Sequence, residues 1–309
     1  KLYKLIIELY NKNMKIEALG IAVKSSNNKT LYVYFPYIKF GEKENLKDKP
    51  KSSRNCIEIS CTLNQLEKPI KDIADAYLRL HLLSYKFVLP NTINLEGLFE
   101  ILPNIAWTNV GAMYPEEAEA KILEFHDKKI PLLIRSVDKF PMLTDFIIPK
   151  GVRIADTSRV RLGAYLSEGT TIMHEGFVNF NSGTLGPCMI EGRISAGVVI
   201  GANSDLGGGC STMGTLSGGN NIKISVGENC LLGANSGLGI PLGNNCIIEA
   251  GLYITAGTKV ILADNKIMKA SELSNVDNLL FIRNSITGKV EAKENPSTIS
   301  LNSKLHKNI

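Results

Sequence analysis

The stretch Ile200-Gly201-Ala202-Asn203-Ser204-Asp205-Leu206-Gly207-Gly208-Gly209-Cys210 sets an aliphatic residue at its start and another six residues on. Each is followed by glycine and, four positions after it, by a small residue. Leu232-Gly233-Ala234-Asn235-Ser236 repeats the arrangement. Working outward, Ile148, Ile154, Val160, Leu166, Ile172 and Val178 fall on the same period. It returns at Ile194, Ile200 and Leu206, at Val226, Leu232 and Leu238, and at Leu242, Ile248, Ile254 and Val260. A helix repeats near 3.6 residues and a strand near 2, so neither produces this pattern. A fixed six-residue period means stacked units of a parallel β-helix. Three units close one triangular coil, with aliphatic side chains filling the prism and small residues near its corners. Coils stack about 4.8 Å apart, so roughly six of them make a prism about 30 Å long.

The period slips between Thr184 and Ile194, between Leu206 and Val226, and between Leu238 and Leu242. The second gap holds Thr215-Leu216-Ser217-Gly218-Gly219-Asn220-Asn221, which reads as a loop thrown from a corner. Insertions in a solenoid collect at corners, where function is built.

Outside the repeat, Ile21 to Val23, Leu31 to Ile38 and Ile57 to Thr62 read as strands, and Asn64 to Phe87 as a helix. Pro115-Glu116-Glu117 opens a second helix to about Asp127, because proline suits a first helical turn and acids suit its positive end. Leu279 to Ser285 and Lys289 to Ala292 read as strands flanking the prism, and Asn302 to Ile309 as a polar tail. The chain is expected to be mainly β. Residues 1–110 form an N-terminal α/β domain, 111–147 a helical linker, 148–262 the β-helix and 263–309 a short C-terminal extension.

No run of 18 apolar residues is present, so no membrane partner is expected. The first ten residues lack the apolar core and cleavage site of a signal peptide, and a cytoplasmic location is expected. The net charge of +5 is modest, and the lysines of Lys39 to Lys51 are interspersed with Glu42, Glu44 and Asp48. That mixture reads as a solvated loop and argues against a nucleic-acid partner. Of the six cysteines, Cys188, Cys210, Cys230 and Cys246 each stand four residues after the start of a unit. That is the buried slot, where cysteine acts as a compact hydrophobe. The glycine strings around Gly208 and Gly233 resemble phosphate loops only superficially, since the period explains them and the strand–helix context is absent.

A filled prism has no internal cavity, so a site must lie on its outer faces. Two prisms side by side make a cleft, and a homotrimer supplies three. The densest polar stretch runs from Met173-His174-Glu175-Gly176 through Asn181 to Glu191-Gly192-Arg193. Glu191 and Arg193 alternate about Gly192 and are expected on one side of extended backbone. The pair reads either as a catalytic constellation or as a surface ion pair. His174 is a second candidate base, against the plainer reading of a structural histidine.

The runs Gly151 to Asp156, Met173 to Asn179, Glu191 to Gly197 and Met213 to Gly219 strongly resemble the tetrahydrodipicolinate N-succinyltransferase family. The likeness continues through Leu231 to Gly239, Glu249 to Gly257 and Asn278 to Ser285, covering roughly residues 113–290. It implies a trimeric left-handed β-helix enzyme that moves succinyl from succinyl-CoA to the amine of ring-opened tetrahydrodipicolinate, L-2-amino-6-oxoheptanedioate, in lysine and diaminopimelate synthesis. By matching positions it implies Glu191 as the catalytic carboxylate, with an acyl-anhydride intermediate as one route. It implies acyl-CoA contacts at Arg193, Gly208, Ser211, Ala234, Glu249, Ala250, Gly257, Lys269, Ile282, Arg283, Asn284 and Ser285. Some relatives hold magnesium on the trimer axis with two acids. Glu175 matches one position, but Ser158 stands at the other, so a required metal is not expected. The rival readings are an acetyl-CoA-dependent transferase on a similar amine and a non-catalytic scaffold. A β-helix carbonic anhydrase needs three histidine ligands, and the coil holds only His174.

Overall fold

Three inward columns of side chains run through the C-terminal half of the chain, one for each wall of a prism. The computed structural model describes residues 13–46, 56–216 and 222–295. The polar tail from Asn302 and part of the lysine-rich loop lie outside the described residues. The chain divides into two units between Pro141 and Met142.

In the first unit, β1 (Lys15–Lys24), β2 (Thr30–Phe40), β3 (Lys43–Glu44) and β4 (Cys56–Thr62) form an antiparallel sheet of order β3-β2-β1-β4. Helix α1 (Ile73–Ser84) packs on β2 and is buried on every side from Asp75 to Ser84. The expected helix from Asn64 to Phe87 is broken. Leu63–Glu67 forms a separate 3-10 turn, and Lys68 is extended ahead of Pro69. Proline lacks an amide hydrogen and pushes its predecessor out of the helical region. The helix restarts when the Asp72 side chain accepts from Asp75 N–H at 2.8 Å. After the short helix α2 (Leu98–Ile101), a second antiparallel sheet joins β5 (Ile105–Thr108), β6 (Gly111–Met113) and β7 (Ile134–Asp138). Helix α3 (Pro115–Asp127) connects β6 to β7 with the bounds expected from its proline and acids. Residues on both sides of 110 therefore share one sheet, and the 111–147 segment contains strands as well as a helix.

The second unit is a parallel β-helix. Its first face is built by Arg153–Ile154, Thr171–Ile172, Cys188–Ile190, Ser204–Leu206, Leu231–Leu232 and Ile247–Ile248. The inward residues Ile172, Ile190, Leu206, Leu232 and Ile248 stand in register and are fully buried. Val178, Ile194, Thr212, Leu238 and Ile254 line the second face, and Leu166, Thr184, Ile200 and Val226 the third. Leu279–Arg283 continues the first face, with Phe281 beside Ile248. It pairs in turn with Val290–Glu294, as the sequence pattern anticipated.

Ile148, expected as the first inward residue, is 81% exposed, and the first coil opens at Arg153–Ile154. A lone aliphatic residue on the period has no coil beneath it to cover it. The six-residue spacing also survives further than its aliphatic residues show. Thr184 and Thr212 occupy inward positions, and each hydroxyl is satisfied there. Thr184 Oγ1 is 2.7 Å from Thr170 Oγ1, and Thr212 Oγ1 donates to Arg193 O at 2.8 Å. The first slip is thus narrowed to Ile190–Ile194, where a corner is two residues short. Leu238–Leu242 is the other short corner. The loop expected after Thr212 leaves and returns through a Thr215–Lys223 bridge, with residues 217–221 outside the described set.

Corners between the third and first faces need left-handed backbone. Gly151 and Gly169 supply it in the early coils (φ 67° and 86°), then Asn203, Asn229, Asn245 and Asn278 (φ 54° to 59°). Asparagine tolerates this region better than other residues bearing a β-carbon. The four coil cysteines are buried, and their thiols carry no disulfide. Burial pushes the Cys188 and Cys210 thiols up to about 12. Cys56 and Cys61 are half-buried on β4.

Candidate active site

Glu191 begins the short corner between the first and second faces. Its N–H donates to Leu206 O at 2.8 Å, and its own carbonyl accepts from Gly209 N–H at 3.2 Å. The next coils repeat the step. Gly208 O accepts from Asn235 N–H at 2.9 Å, and Ala234 O from Gly251 N–H at 2.8 Å. Glu191, Gly208, Ala234 and Ala250 therefore lie along one corner, one coil apart. Among the described residues the N–H groups of Gly208, Ala234 and Ala250 donate to no protein acceptor. They form a row of donors at the roughly 4.8 Å spacing of the coils, suited to amides of an extended ligand.

The corner is tightly built on one side and open on the other. A β-carbon on Gly192 would lie 2.3 Å from Cys210 Sγ and 2.5 Å from Cys210 O, so glycine is required for the coils to close. A β-carbon on Gly208 would meet only Glu191 Oε2, at 3.6 Å. The Glu191 carboxylate thus overhangs Gly208 and faces open space.

Arg193 does not join Glu191 as the alternation about Gly192 predicted. The chain turns the corner between them. Arg193 lies on the second face beside Ser211, and its Nη2 donates to Ser211 Oγ at 3.0 Å. No ion pair links Arg193 to Glu191 among the described residues. The guanidinium is exposed and keeps its remaining donors for a ligand carboxylate.

Further down the prism, Glu249 Oε2 accepts from Arg283 N–H at 2.7 Å. Asn284 Oδ1 accepts from the N–H groups of Ile286 and Thr287, both at 3.0 Å, and shapes the exposed turn after Ile282. Ser285 lies in that same turn. Gly257 has open space above it, and Lys269 pairs with Lys259 in the following hairpin. The structure thus brings Glu191, Gly208, Ala234, Ala250, Glu249 and Arg283 into one line of coils, with Arg193 and Ser211 on the adjoining wall. It does not tie Gly257 or Lys269 to that line by a hydrogen bond.

One acid in this region escaped the sequence reading. Asp205 points outward from Ser204–Leu206, between Met189 of one coil and Leu231 of the next. Burial, and after it the charge of Glu191, holds its carboxyl above its ordinary value. The signal was an acid in an otherwise apolar outward column, visible only once the coil register is known.

The magnesium position of the resemblance falls at Glu175 and Ser158. Magnesium takes about six oxygens in near-octahedral geometry. Glu175 is an exposed carboxylate, and the Arg159 guanidinium sits on its backbone, donating to Glu175 O at 2.9 Å. Ser158 Oγ donates to Asp156 Oδ1 at 2.6 Å. Each chain brings one exposed carboxylate to this position, beside the Arg159 guanidinium. His174 is exposed one residue before Glu175.

Two family models match. One describes the hexapeptide repeat of succinyl-transferase and covers residues 223–256. The other describes the middle part of tetrahydrodipicolinate N-succinyltransferase and covers 102–142. A 2,3,4,5-tetrahydropyridine-2,6-dicarboxylate N-succinyltransferase of Pseudomonas aeruginosa is 62% identical over 238 residues, which are 75% of this chain and 69% of the relative. The enzyme of the same name from Vibrio cholerae is 55% identical over 78% of this chain and 72% of its own. A Campylobacter jejuni crystal structure described as a 2,3,4,5-tetrahydropyridine-2-carboxylate N-succinyltransferase superposes with a TM-score of 0.83. It is 31% identical, covering 95% of this chain and 96% of that one. The coil is the left-handed parallel β-helix that the resemblance implied, and the chain belongs to the tetrahydrodipicolinate N-succinyltransferase family.

Proposed function

We propose that this chain moves succinyl from succinyl-CoA to the amine of ring-opened tetrahydrodipicolinate, with Glu191 as the reacting carboxylate. The open face of Glu191 above Gly208 is the observation that carries this reading. In direct transfer, Glu191 takes a proton from the attacking amine as the C–N bond forms and the C–S bond breaks. In the other route, Glu191 attacks the thioester and the C–S bond breaks; the amine then attacks the anhydride, the C–O bond to Glu191 breaks, the carboxylate is regenerated and the amine proton passes to solvent. In both, CoA leaves as the thiolate and takes its proton from solvent.

The remaining roles follow from position. The free N–H groups of Gly208, Ala234 and Ala250 receive the amide-bearing arm of CoA along the corner. Arg193, steadied by Ser211, holds a carboxylate of the succinyl group or of the acceptor. Glu249, Arg283, Asn284 and the turn at Ile282–Ser285 receive the far end of CoA, with Lys269 and Gly257 near it. A homotrimer completes the site, because one prism offers a wall and a neighbour closes the cleft. No helix among the described residues is long and apolar enough to cross a membrane. A cytoplasmic setting belongs to this reading, and no step is routed through a metal.

A CoA-release assay on wild type and Glu191→Gln, with succinyl-CoA and acetyl-CoA each tested against tetrahydrodipicolinate, checks the reading. Turnover with succinyl-CoA and its loss by a factor of 100 or more in Glu191→Gln is expected. Full activity in the variant sinks the role of Glu191. Faster turnover with acetyl-CoA sinks the choice of acyl donor.

A further inference from the structure

On the first face of the prism the outward residues run Arg153, Thr171, Met189, Asp205, Leu231 and Ile247, one per coil. Asp205 is the one acid in this run. It is half-buried, and no hydrogen bond or ion pair reaches its carboxylate among the described residues. A carboxylate between two apolar neighbours costs stability and gains nothing from them. Its position supplies a reason for it.

Met189 pairs with Asp205, and Glu191 stands two residues beyond Met189. Both carboxylates point outward, diagonal to one another across adjacent coils. Two residues of strand and one coil spacing set them about 8 Å apart. The register sets Glu191 beside Gly207, so the diagonal runs between the Met189 side chain and the bare Gly207, with no charged group on it.

We propose that Asp205 is a positioning residue for the reaction at Glu191, acting through charge repulsion along the diagonal between adjacent coils. The inference rests on Glu191 being the reacting carboxylate. In the resting site two negative charges face each other. Whichever route is followed, Glu191 loses its charge, either by taking the amine proton or by becoming an anhydride. Repulsion present in the ground state is then relieved in the transition state, and that difference accelerates the step. The Glu191 charge is the second cause, after burial, that raises the Asp205 carboxyl. The other titratable groups around Asp205 are the thiols of Cys188, Cys210 and Cys230. Those of Cys188 and Cys210 are held up to about 12, and the hydrogen bond with Cys246, and after it burial, pushes Cys230 up. All three therefore stay neutral at working pH. The strand Leu231–Leu232 brings no charged group.

The test uses the full chain with succinyl-CoA and tetrahydrodipicolinate, and compares Asp205→Asn, Asp205→Leu, Asp205→Glu and Glu191→Gln. Both charge-removing variants are expected to lose about five- to tenfold in kcat, with the KM for succinyl-CoA within about twofold of wild type. Their acid limb in the pH–rate profile moves to lower pH, and their Tm is equal or higher, because a carboxylate has left an apolar column. Asp205→Glu recovers part of the rate. An unchanged kcat and acid limb in Asp205→Asn, with Glu191→Gln inactive, overturns the role of Asp205 alone. A rate loss that tracks a lowered Tm in both Asn and Leu variants makes Asp205 structural and also overturns it. Full activity in Glu191→Gln removes the reading of Glu191 on which it rests.

Discussion

At the residue scale, Gly192 and Gly208 look alike in the sequence, yet the structure gives them opposite duties. Gly192 lets two coils approach, while Gly208 leaves room above the backbone for a ligand. Gly192→Ala is expected to cost about 1–3 kcal/mol through overpacking against Cys210, read as a fall in Tm. Gly208→Ala is expected to keep its Tm and to raise the KM for succinyl-CoA about tenfold, because the new methyl group stands beside Glu191 Oε2. A lowered Tm in Gly208→Ala or an unchanged KM refutes the open-face reading. The period made both residues legible as corners, but it does not encode which corner faces a cleft. For the same reason Glu191 was legible as an anomaly, while Asp205 was hidden inside a regular unit. The pairing of Arg193 with Glu191 was misjudged, because alternation about Gly192 assumes a straight strand where the chain bends.

At the scale of elements, α3 was legible to the residue and α1 was not. Proline at the head of α3 and the Glu117 carboxylate that accepts from Tyr114 N–H mark a start that only a helix uses. Ahead of α1, apolar residues continue through Pro69 with a helical spacing, so the pattern runs on while the backbone breaks. The buried face of α1 also carries a pH dependence. His81 is fully buried, its Nδ1–H donates to Tyr77 O at 2.7 Å, and Nε2 accepts from Phe35 N–H at 3.4 Å. The ring is therefore neutral, and burial lowers it to about 4. Above the unfolded value near 6.5 the ring is neutral in both states and stability is complete. As pH falls from there through 4, the unfolded chain binds a proton that the folded chain refuses, and about 3 kcal/mol is lost at most. Trp107, packed 5.4 Å from Tyr32, is the chain's single tryptophan and reports on this unit. Unfolding free energies from urea titrations followed by its fluorescence at pH 7 and pH 4.5 are expected to differ by about 2–3 kcal/mol more in wild type than in His81→Gln. Equal differences remove His81 as the cause.

At the scale of the whole molecule, the period announced the second unit, whereas the first unit announced little. Residues 102–142 carry a family-specific match, but nothing in their composition distinguishes them from a helix and its connections. Their sheet is held by pairings such as Trp107 with Ser136, whose partners are far apart in the chain and leave no periodic trace. Assembly belongs to this scale too. A prism with a ligand line on one corner offers half a cleft, so the active form is expected at three times the chain mass by light scattering. Dilution that lowers this mass is expected to lower specific activity in parallel. Full activity at monomer mass refutes the shared cleft.

The asparagines at the prism's corners bear on how the protein ages. In a flexible chain, asparagine before a small residue loses its amide when the following backbone nitrogen attacks the side chain and closes a succinimide. Here those nitrogens are engaged. The N–H of Ser236 after Asn235 donates to Gly233 O, that of Cys230 after Asn229 to Ser204 Oγ, and that of Cys246 after Asn245 to Cys230 Sγ. Attack requires the corner to unwind first. Deamidation at these sites is then a clock for coil opening, and each event leaves a one-dalton mark on the turn that opened.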